Sequence, residues 1–586
     1  MRDVIVIGAG GGGAVVAKEL AERGLDVLVL EAGPHHADVE TEWSHYESVS
    51  QTILRWGPAD RSRTPWRREY AQSSTAFQTA GVGGTTLQYF GNSPRAMPGS
   101  FAGYTGADKN AYDIQHLFPF SYQELIPYYR WVEATLPVQT AALGTKEEVF
   151  IRGAEAIGLA WQSRKNISTD SFRPQENAIL QPGGLAGWTD DPALLKFPLA
   201  QGCTYCGHCF QGCTLPRKAP RNLKAKRSTY NSYVPMALTA DLWSRGRAAT
   251  LISDAFVTRV ITDGSSSLRA TGVEFRIGTT GNLITETAKV VVMACGAVET
   301  PRLWLNSGLP NPNGWVGKGL TNHATEIVVG IMPFETRSSV GPASAVRADF
   351  PGRGSLESFG GMPGSQAALA FLGSEAGIAG MYDLSPTPDT SGADVVGRLV
   401  GPQLKDAMSD IDRLLNIVVL TDDDVSPNNS ISISPTQPPD EHGGVPLVTT
   451  PSANFTARTQ ANREFLTRKA VDIVRGAGAT TVIRAKAPPS LIHMHSTMRM
   501  GQSASNSVLD ANAESRAVKG LFIADNSALA NALGGPNPTL TTQALATRTA
   551  EKIFKLYFGG DAWVSRELPC SSIDAKVTAA SIKRGL

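Results

Sequence analysis

The stretch Val4-Ile-Val-Ile7-Gly8-Ala-Gly10-Gly-Gly-Gly13-Ala-Val-Val-Ala-Lys-Glu-Leu-Ala-Glu-Arg23-Gly24-Leu-Asp26-Val-Leu-Val-Leu30-Glu31 decides the fold. Val4–Ile7 is a run of β-branched residues and reads as a fully buried strand. Ala14–Arg23 spaces its apolar residues as a helix does, and Gly24 closes it. Asp26–Glu31 then repeats the strand pattern, so the order is strand, helix, strand. Gly8, Gly10 and Gly13 fall on the turn between the first two elements. They permit a tight turn, close approach of backbone to a pyrophosphate, and close packing of helix on strand. The helix N-terminus points unpaired N–H groups at the same spot. Glu31 ends the second strand about 20 residues beyond the glycines, where a carboxylate can accept from ribose hydroxyls. A dinucleotide site follows, and the fingerprint alone does not choose between NAD and FAD.

The rest of the chain bounds the answer. It has 586 residues, with 54 Lys+Arg against 53 Asp+Glu and a formal net charge of +1. That balance argues against a nucleic-acid binder, which needs a basic surplus. Hydrophobic residues make up 42% and charged residues 18%, which suits packed cores and excludes disorder over most of the chain. No apolar run reaches the roughly 18 residues needed to span a bilayer. Met1-Arg-Asp3 runs straight into the first strand, so no signal peptide is expected and the cytoplasm is the default compartment.

Further segments carry chemistry. Gly81-Val-Gly83-Gly84-Thr85-Thr86 offers bare backbone and hydroxyls to a flat ligand, and Gly91-Asn-Ser-Pro-Arg95 follows it. Tyr122, Tyr128, Tyr129 and Trp131 read as core rings on a helix beginning near Ser121. Ala288–Cys295 reads as a buried strand, followed by Gly296-Ala-Val-Glu-Thr-Pro301. The basic stretch Arg217–Arg227 reads as a solvated face. Residues 320–485 alternate short β patterns with Gly/Pro loops, as an antiparallel sheet would. Near the C-terminus stand Ile492-His493-Met-His495-Ser496-Thr497-Met-Arg-Met-Gly501, a strand ending in Asp525, and Gly534-Gly-Pro-Asn537-Pro-Thr539-Leu540 opening a helix over Thr541–Tyr557.

Four of the six cysteines crowd into Cys203-Thr-Tyr-Cys206-Gly-His-Cys209-Phe-Gln-Gly-Cys213, with C-x2-C-x2-C-x3-C spacing. Short spacers let thiolates converge from one loop, and Gly207 and Gly212 permit the bends. The run resembles ferredoxin-type cluster ligation. Structural zinc, which takes four thiolates commonly supplied as two separated pairs, is the rival, and free or disulfide-bonded cysteines are the third reading.

Taken in order, these motifs resemble the glucose–methanol–choline (GMC) oxidoreductase family. The residues that carry the likeness are Gly8–Gly13 with Glu31, Gly83-Gly-Thr-Thr86, Gly296–Pro301, His493 through Gly501, and Asp525 with Asn537-Pro-Thr-Leu-Thr541. The resemblance implies an α/β chain with a Rossmann-like FAD domain built from residues 1–105, 215–315 and 505–565. It implies an α+β substrate domain with an antiparallel sheet from 106–200 and 316–504, a cluster loop at 201–216 and a tail at 566–586. By the same likeness FAD lies against Gly8, Gly10, Gly13, Glu31, Gly83, Gly84, Thr85, Val257, Asp525, Asn537 and Thr539. The catalytic histidine of the family's His-x-x-Gly-Thr pattern falls on His493, with Ser496 where glycine is usual, and its second catalytic position falls on Asn537. His495 competes with His493, because two residues along an extended strand point to the same side. Some family members attach flavin through a histidine near Gly83-Gly84. Thr85-Thr-Leu-Gln88 has none, so non-covalent FAD is expected.

The cysteine run narrows the likeness to catalytic subunits of bacterial sugar dehydrogenases, such as those for glucose, fructose, gluconate and glucoside C3. Their [3Fe–4S] pattern C-x5-C-x3-C maps onto Cys203, Cys209 and Cys213, and Cys206 leaves [4Fe–4S] open. That likeness implies a sugar or glycoside secondary hydroxyl as substrate, a small subunit carrying an export signal, a cytochrome c or other haem acceptor, and a periplasmic location if co-exported. A GMC oxidase or dehydrogenase for a non-sugar alcohol is the alternative. A pure electron-transfer subunit has no use for a general base, and a lyase has no electrons to export.

Overall fold

The computed structural model describes residues 1–35, 69–70, 74–76, 78–165, 168–181, 202–213, 216, 219–367, 389–397, 399, 401–449, 454–485 and 490–586. The opening run folds as its pattern demands. Strand Arg2–Ile7, helix Gly13–Ala21 and strand Val27–Leu30 form a βαβ unit. Val4, Ile5, Val27 and Leu28 are fully buried, and Ile5 sits in parallel register between Leu28 and Val291. The neighbouring strand is the long Leu283–Met293, whose second half pairs in parallel with Arg2–Ile7 on one side and Leu521–Ile523 on the other. Its first half pairs antiparallel with Ala270–Ile277, which pairs in turn with Ala255–Thr262. Strand Thr250–Ile252 adds in parallel beyond Val27–Leu30. Segments far apart in sequence thus share one seven-stranded sheet.

The glycines at the turn divide the work. Gly8 has φ +100, and a Cβ there would meet the Ala294 carbonyl oxygen at 2.5 Å. A Cβ on Gly13 would stand 2.0 Å from the Gly8 oxygen, so helix and strand touch backbone to backbone. A Cβ on Gly10 would only reach van der Waals contact with Gly84 Cα at 3.8 Å, and Gly10 lines a cavity. Gly13→Ala is therefore expected to destabilise the fold by about 1–3 kcal/mol or more, since backbone cannot yield as a side-chain tip can. A lowered urea midpoint with loss of yellow colour on purification checks it, and an unchanged midpoint contradicts it.

The region 320–485 supplies most of a second, eight-stranded sheet. Its interior is antiparallel, running from Thr481–Ala485 through Glu326–Ile331, Leu414–Thr421, Gly354–Phe359 and Val346–Phe350 to Ser171–Pro174. The side chains of each strand alternate between two environments. Val328, Leu356, Ile417 and Val419 join a core with helices Thr145–Ala156 and Ala457–Gly476. Ile327, Glu357, Phe359, Val418 and Leu420, on the opposite face, line a cavity.

Two expectations change. Lys224, Lys226 and Arg227 of the basic stretch are buried, not solvated, while Arg217 and Lys218 lie outside the described residues. Lys226 Nζ donates to the carbonyl oxygens of Leu87, Tyr89 and Cys209, and Arg227 donates to those of Lys224 and Asn231. Carbonyls satisfy these cations in place of water, which a charge count cannot reveal. The segment after residue 565, expected as a tail, holds helix Ala575–Arg584, and buried Ser572 ties it to the Thr135 carbonyl. Among the described residues, no helix is long and apolar enough to cross a membrane.

Candidate active site

A cavity of about 290 Å³ runs between the glycine turn and the second sheet. Gly8, Gly10, Gly11, Gly12 and Glu31 contribute to its wall, as do Glu357, His493 and Asn537. Gly84, Thr85, Val257, Asp525 and Thr539 also line it. Of the expected cofactor residues, Gly13 and Gly83 are not at the wall, and they act through packing. Gly83 has φ +103 and a missing Cβ that would meet Tyr230 at 2.7 Å, and its N–H donates to the Ala9 carbonyl at 3.0 Å.

The two acids do more than face the ligand. Glu31 accepts from the backbone N–H groups of Ala9 at 2.8 Å, Gly33 at 2.9 Å and Gly81 at 3.0 Å, which clasps three loops around the cavity. Burial pushes its pKa up to about 7 against those three donors. Asp525 accepts from the N–H groups of Ser527 and Gly296 and from the Thr300 hydroxyl. It thus locks the Gly296–Asn306 helix onto the strand that ends at Ile523.

His493 lines the cavity and is half-buried. Its backbone N–H donates to Asn322 Oδ1 at 2.9 Å, and its Nδ1 lies 3.0 Å from Nδ1 of His323. Burial, then His495 and Arg347, push its pKa down to about 3, so the imidazole is neutral at pH 7. His495 is fully buried and absent from the cavity wall; its Nδ1 bonds the His493 carbonyl. The strand argument put both rings on one side, but the chain bends at His493 and only His495 enters a β-bridge, with Thr321. Ser496 has φ +70, a left-handed conformation that accounts for glycine being usual at that position in the pattern.

Asn537 stands two residues before the long helix Thr539–Phe558, separated from it by the N-cap Pro538, and Thr539 at the helix start lines the cavity. Asn537 Oδ1 accepts from Arg347 Nη1 at 3.2 Å, and its Nδ2 approaches Glu357 Oε2 at 3.5 Å. The arginine thus sets the amide orientation, with the NH₂ group on the Glu357 side. Arg347 is also bound to Asp349 at 2.9 Å and Glu357 at 2.9 Å, and Asn92 donates to Glu357 at 2.8 Å. His323, Arg347 and Glu357 were not foreseen from the sequence. Arg347 and Glu357 sit on strands that alternate polar with apolar residues, a pattern that also describes a solvent-facing sheet.

The four clustered cysteines line a second, small cavity together with Lys226 and Gly341. Gly207 and Gly212 take φ of +73 and +79, as the bends require. Phe210, next to Cys209, lines the larger cavity, and its ring packs 5.7 Å from Phe90 on the same wall. The cysteine loop therefore abuts the main cavity. Among the described residues, no group of three His, Cys, Asp or Glu is placed to hold a single metal ion.

The cavity, the glycine turn at its wall, the helix termini and the apolar lining together suit a flavin dinucleotide beside a histidine and an asparagine, the arrangement of a flavin-dependent alcohol oxidoreductase. The chain belongs to the GMC oxidoreductase family: two GMC oxidoreductase models match residues 169–325 and 431–546, and an FAD binding domain model matches residues 3–45. It is 25% identical to 2-methyl-1,2-propanediol dehydrogenase of Mycolicibacterium austroafricanum, with 95% of each chain covered. It is 24% identical to paromamine 6'-oxidase of Streptomyces fradiae, covering 94% of this chain and 91% of that one. The large subunit of fructose dehydrogenase from Gluconobacter japonicus is 24% identical over 94% of this chain and 97% of its own. In fold it resembles pyridoxine 4-oxidase from Mesorbium loti, with a TM-score of 0.59 at 15% identity, covering 94% of this chain and 99% of that one. The protein is accordingly an FAD-dependent GMC oxidoreductase that acts on alcohols or sugar-like substrates.

Proposed function

We propose that this chain oxidises a secondary hydroxyl of a sugar or glycoside, such as C3 of a glucoside, to a carbonyl. The observation that carries the reading is His493 and Asn537 on one cavity wall, next to a loop of four cysteines. Bound FAD supplies a two-electron hydride acceptor for the carbinol C–H. Neutral His493 takes the hydroxyl proton at Nε2, the nitrogen not engaged by His323. Asn537 donates from Nδ2 to the same oxygen and orients the carbinol carbon. Gly8, Gly10, Gly11, Gly12 and Gly84 would hold the dinucleotide, and the N-terminus of helix Thr539–Phe558 would favour negative charge on the ring system.

The acceptor side rests on the cysteines. Cys203, Cys209 and Cys213, with Cys206 as a further thiol, would hold an iron–sulfur cluster, [3Fe–4S] before [4Fe–4S], which supplies a one-electron carrier. Their shared cavity and the Phe210–Phe90 contact with the main site support this. The reading calls for a signal-bearing small subunit, and the fructose dehydrogenase relative is itself the large subunit of its enzyme. It also calls for a haem acceptor such as cytochrome c, and for export with the small subunit.

A non-sugar alcohol is the second reading, favoured by the 2-methyl-1,2-propanediol dehydrogenase relative. An anaerobic panel of glucose, methyl glucosides, lactose, gluconate, fructose and short diols decides between them. The sugar reading expects flavin bleaching by a sugar or glycoside, with electrons passed to an artificial acceptor. Bleaching by diols alone overturns it, and peroxide matching turnover replaces dehydrogenase with oxidase.

A further inference from the structure

We propose that His323 is the positioning residue for His493, fixing the histidine's tautomer so that its proton-accepting nitrogen is Nε2. The inference deepens the proposed function, because it rests on His493 being the base.

The geometry assigns every proton in the pair. His323 is fully buried in the turn before strand Glu326–Ile331, with a left-handed φ of +57. Its N–H donates to Asp423 Oδ1 at 3.1 Å, and the Thr421 N–H donates to its carbonyl at 2.7 Å, so its backbone is held from two sides. Its Nε2 lies 2.9 Å from the Ala532 carbonyl oxygen. A carbonyl only accepts, so Nε2 carries the hydrogen. Burial, with His495 and His493 close by, keeps the ring neutral, which leaves Nδ1 as a bare lone pair. That lone pair faces His493 Nδ1 at 3.0 Å, so His493 must donate from Nδ1. Its own lone pair then sits on Nε2.

The surroundings reinforce this. Asn322, the preceding residue, accepts from the His493 backbone N–H, so adjacent residues hold both the ring and the main chain. His495 meets His323 edge-on at 5.0 Å and limits rotation of its ring. The charged groups nearby are Arg347, which disfavours a second proton on the pair, and Asp423, which binds backbone rather than ring. Ala532 lies on the segment that leads to Asn537, and Leu533 N–H donates to Asn531 Oδ1 to shape it. His323 therefore links the two proposed catalytic side chains through one carbonyl. When His493 takes up a proton at Nε2, its Nδ1–H bond to His323 gains charge assistance. A neutral imidazole here fills the role that a carboxylate fills in acyl-transfer triads, holding the base in one tautomer.

The test is the tautomer itself. The flavin-bound protein is labelled with ¹⁵N-histidine, and His493 is assigned by its loss in His493→Ala. The wild type should show His493 protonated at Nδ1 and bare at Nε2. His323→Leu should shift it toward the Nε2–H form, whereas His323→Asn, which sets an amide oxygen where Nδ1 was, should keep the wild-type form. With the fastest alcohol of the panel above, the leucine variant should lose roughly 10²-fold in kcat with KM within about threefold, and the asparagine variant should recover most of it. An Nε2–H tautomer in the wild type overturns the proposal even if the leucine variant does not fold. So does an unchanged tautomer in His323→Leu, or equal losses in both variants. A correct tautomer with full activity in His493→Ala would instead overturn the base assignment and leave the positioning intact.

Discussion

His493→Ala is expected to retain its flavin and lose about 10²- to 10⁴-fold in kcat, the usual worth of a positioned general base. The side chain lies on the cavity wall in a different segment from Gly8, Gly10, Gly11 and Gly12, which would hold the dinucleotide, so binding and turnover should separate. The flavin spectrum of the variant measures the first and anaerobic bleaching rates the second. Wild-type pH dependence adds an independent sign. Only neutral imidazole accepts the proton, so activity is lost as pH falls through the His493 pKa. Burial, with His495 and Arg347 beside it, depresses that value to about 3, so kcat/KM should stay level as pH drops past 6.5. An acid limb centred near 6.5 would show that the site is wetter than its burial implies. Full activity in the alanine variant would remove His493 from the chemistry.

Cys209→Ser should separate the two halves of the electron path. Substrate should still bleach the flavin, because Cys209 stands on the other side of the Phe210 wall. Iron content should collapse, since losing a ligand costs at least the roughly 10- to 100-fold in affinity lost with outer-shell partners. Transfer to a one-electron acceptor should fall in step with iron. Iron analysis with cytochrome c reduction measures both. A variant with wild-type iron and wild-type cytochrome reduction would leave the cysteine loop without a redox role. Zinc in place of iron in the wild type would turn the loop into a structural clip.

The βαβ unit was legible because its signal is local. Val4–Ile7 must be buried on both faces, and a turn as tight as Gly8–Gly13 admits no side chain where backbones touch. Helix Thr539–Phe558 and the antiparallel sheet of the middle region follow the same local periodicities. Glu31 was legible as an acid at the strand end, but not as a clasp, since its partners Gly33 and Gly81 lie on separate loops. His495 was read as pointing to the same side as His493 because extended-strand alternation was assumed over 493–495, whereas the chain bends at His493 and His495 packs inside, off the cavity wall. Lys226 and Arg227 looked like surface because charge alone cannot report that carbonyl oxygens surround them.

What the amino-acid order determined by itself is the dinucleotide turn and the cysteine spacing, since each depends on neighbours a few residues away; His493 and Asn537 were singled out by likeness to the family's motifs. What only the tertiary structure decided is which groups complete them. His323 lies 170 positions from His493 and Arg347 lies 190 from Asn537. Alternation along a strand distinguishes two faces but not which one meets a cavity, so Arg347 and Glu357 acquire their meaning when the second sheet closes over the first. The proton on an imidazole follows the acceptor it finds, and that acceptor is supplied by the fold.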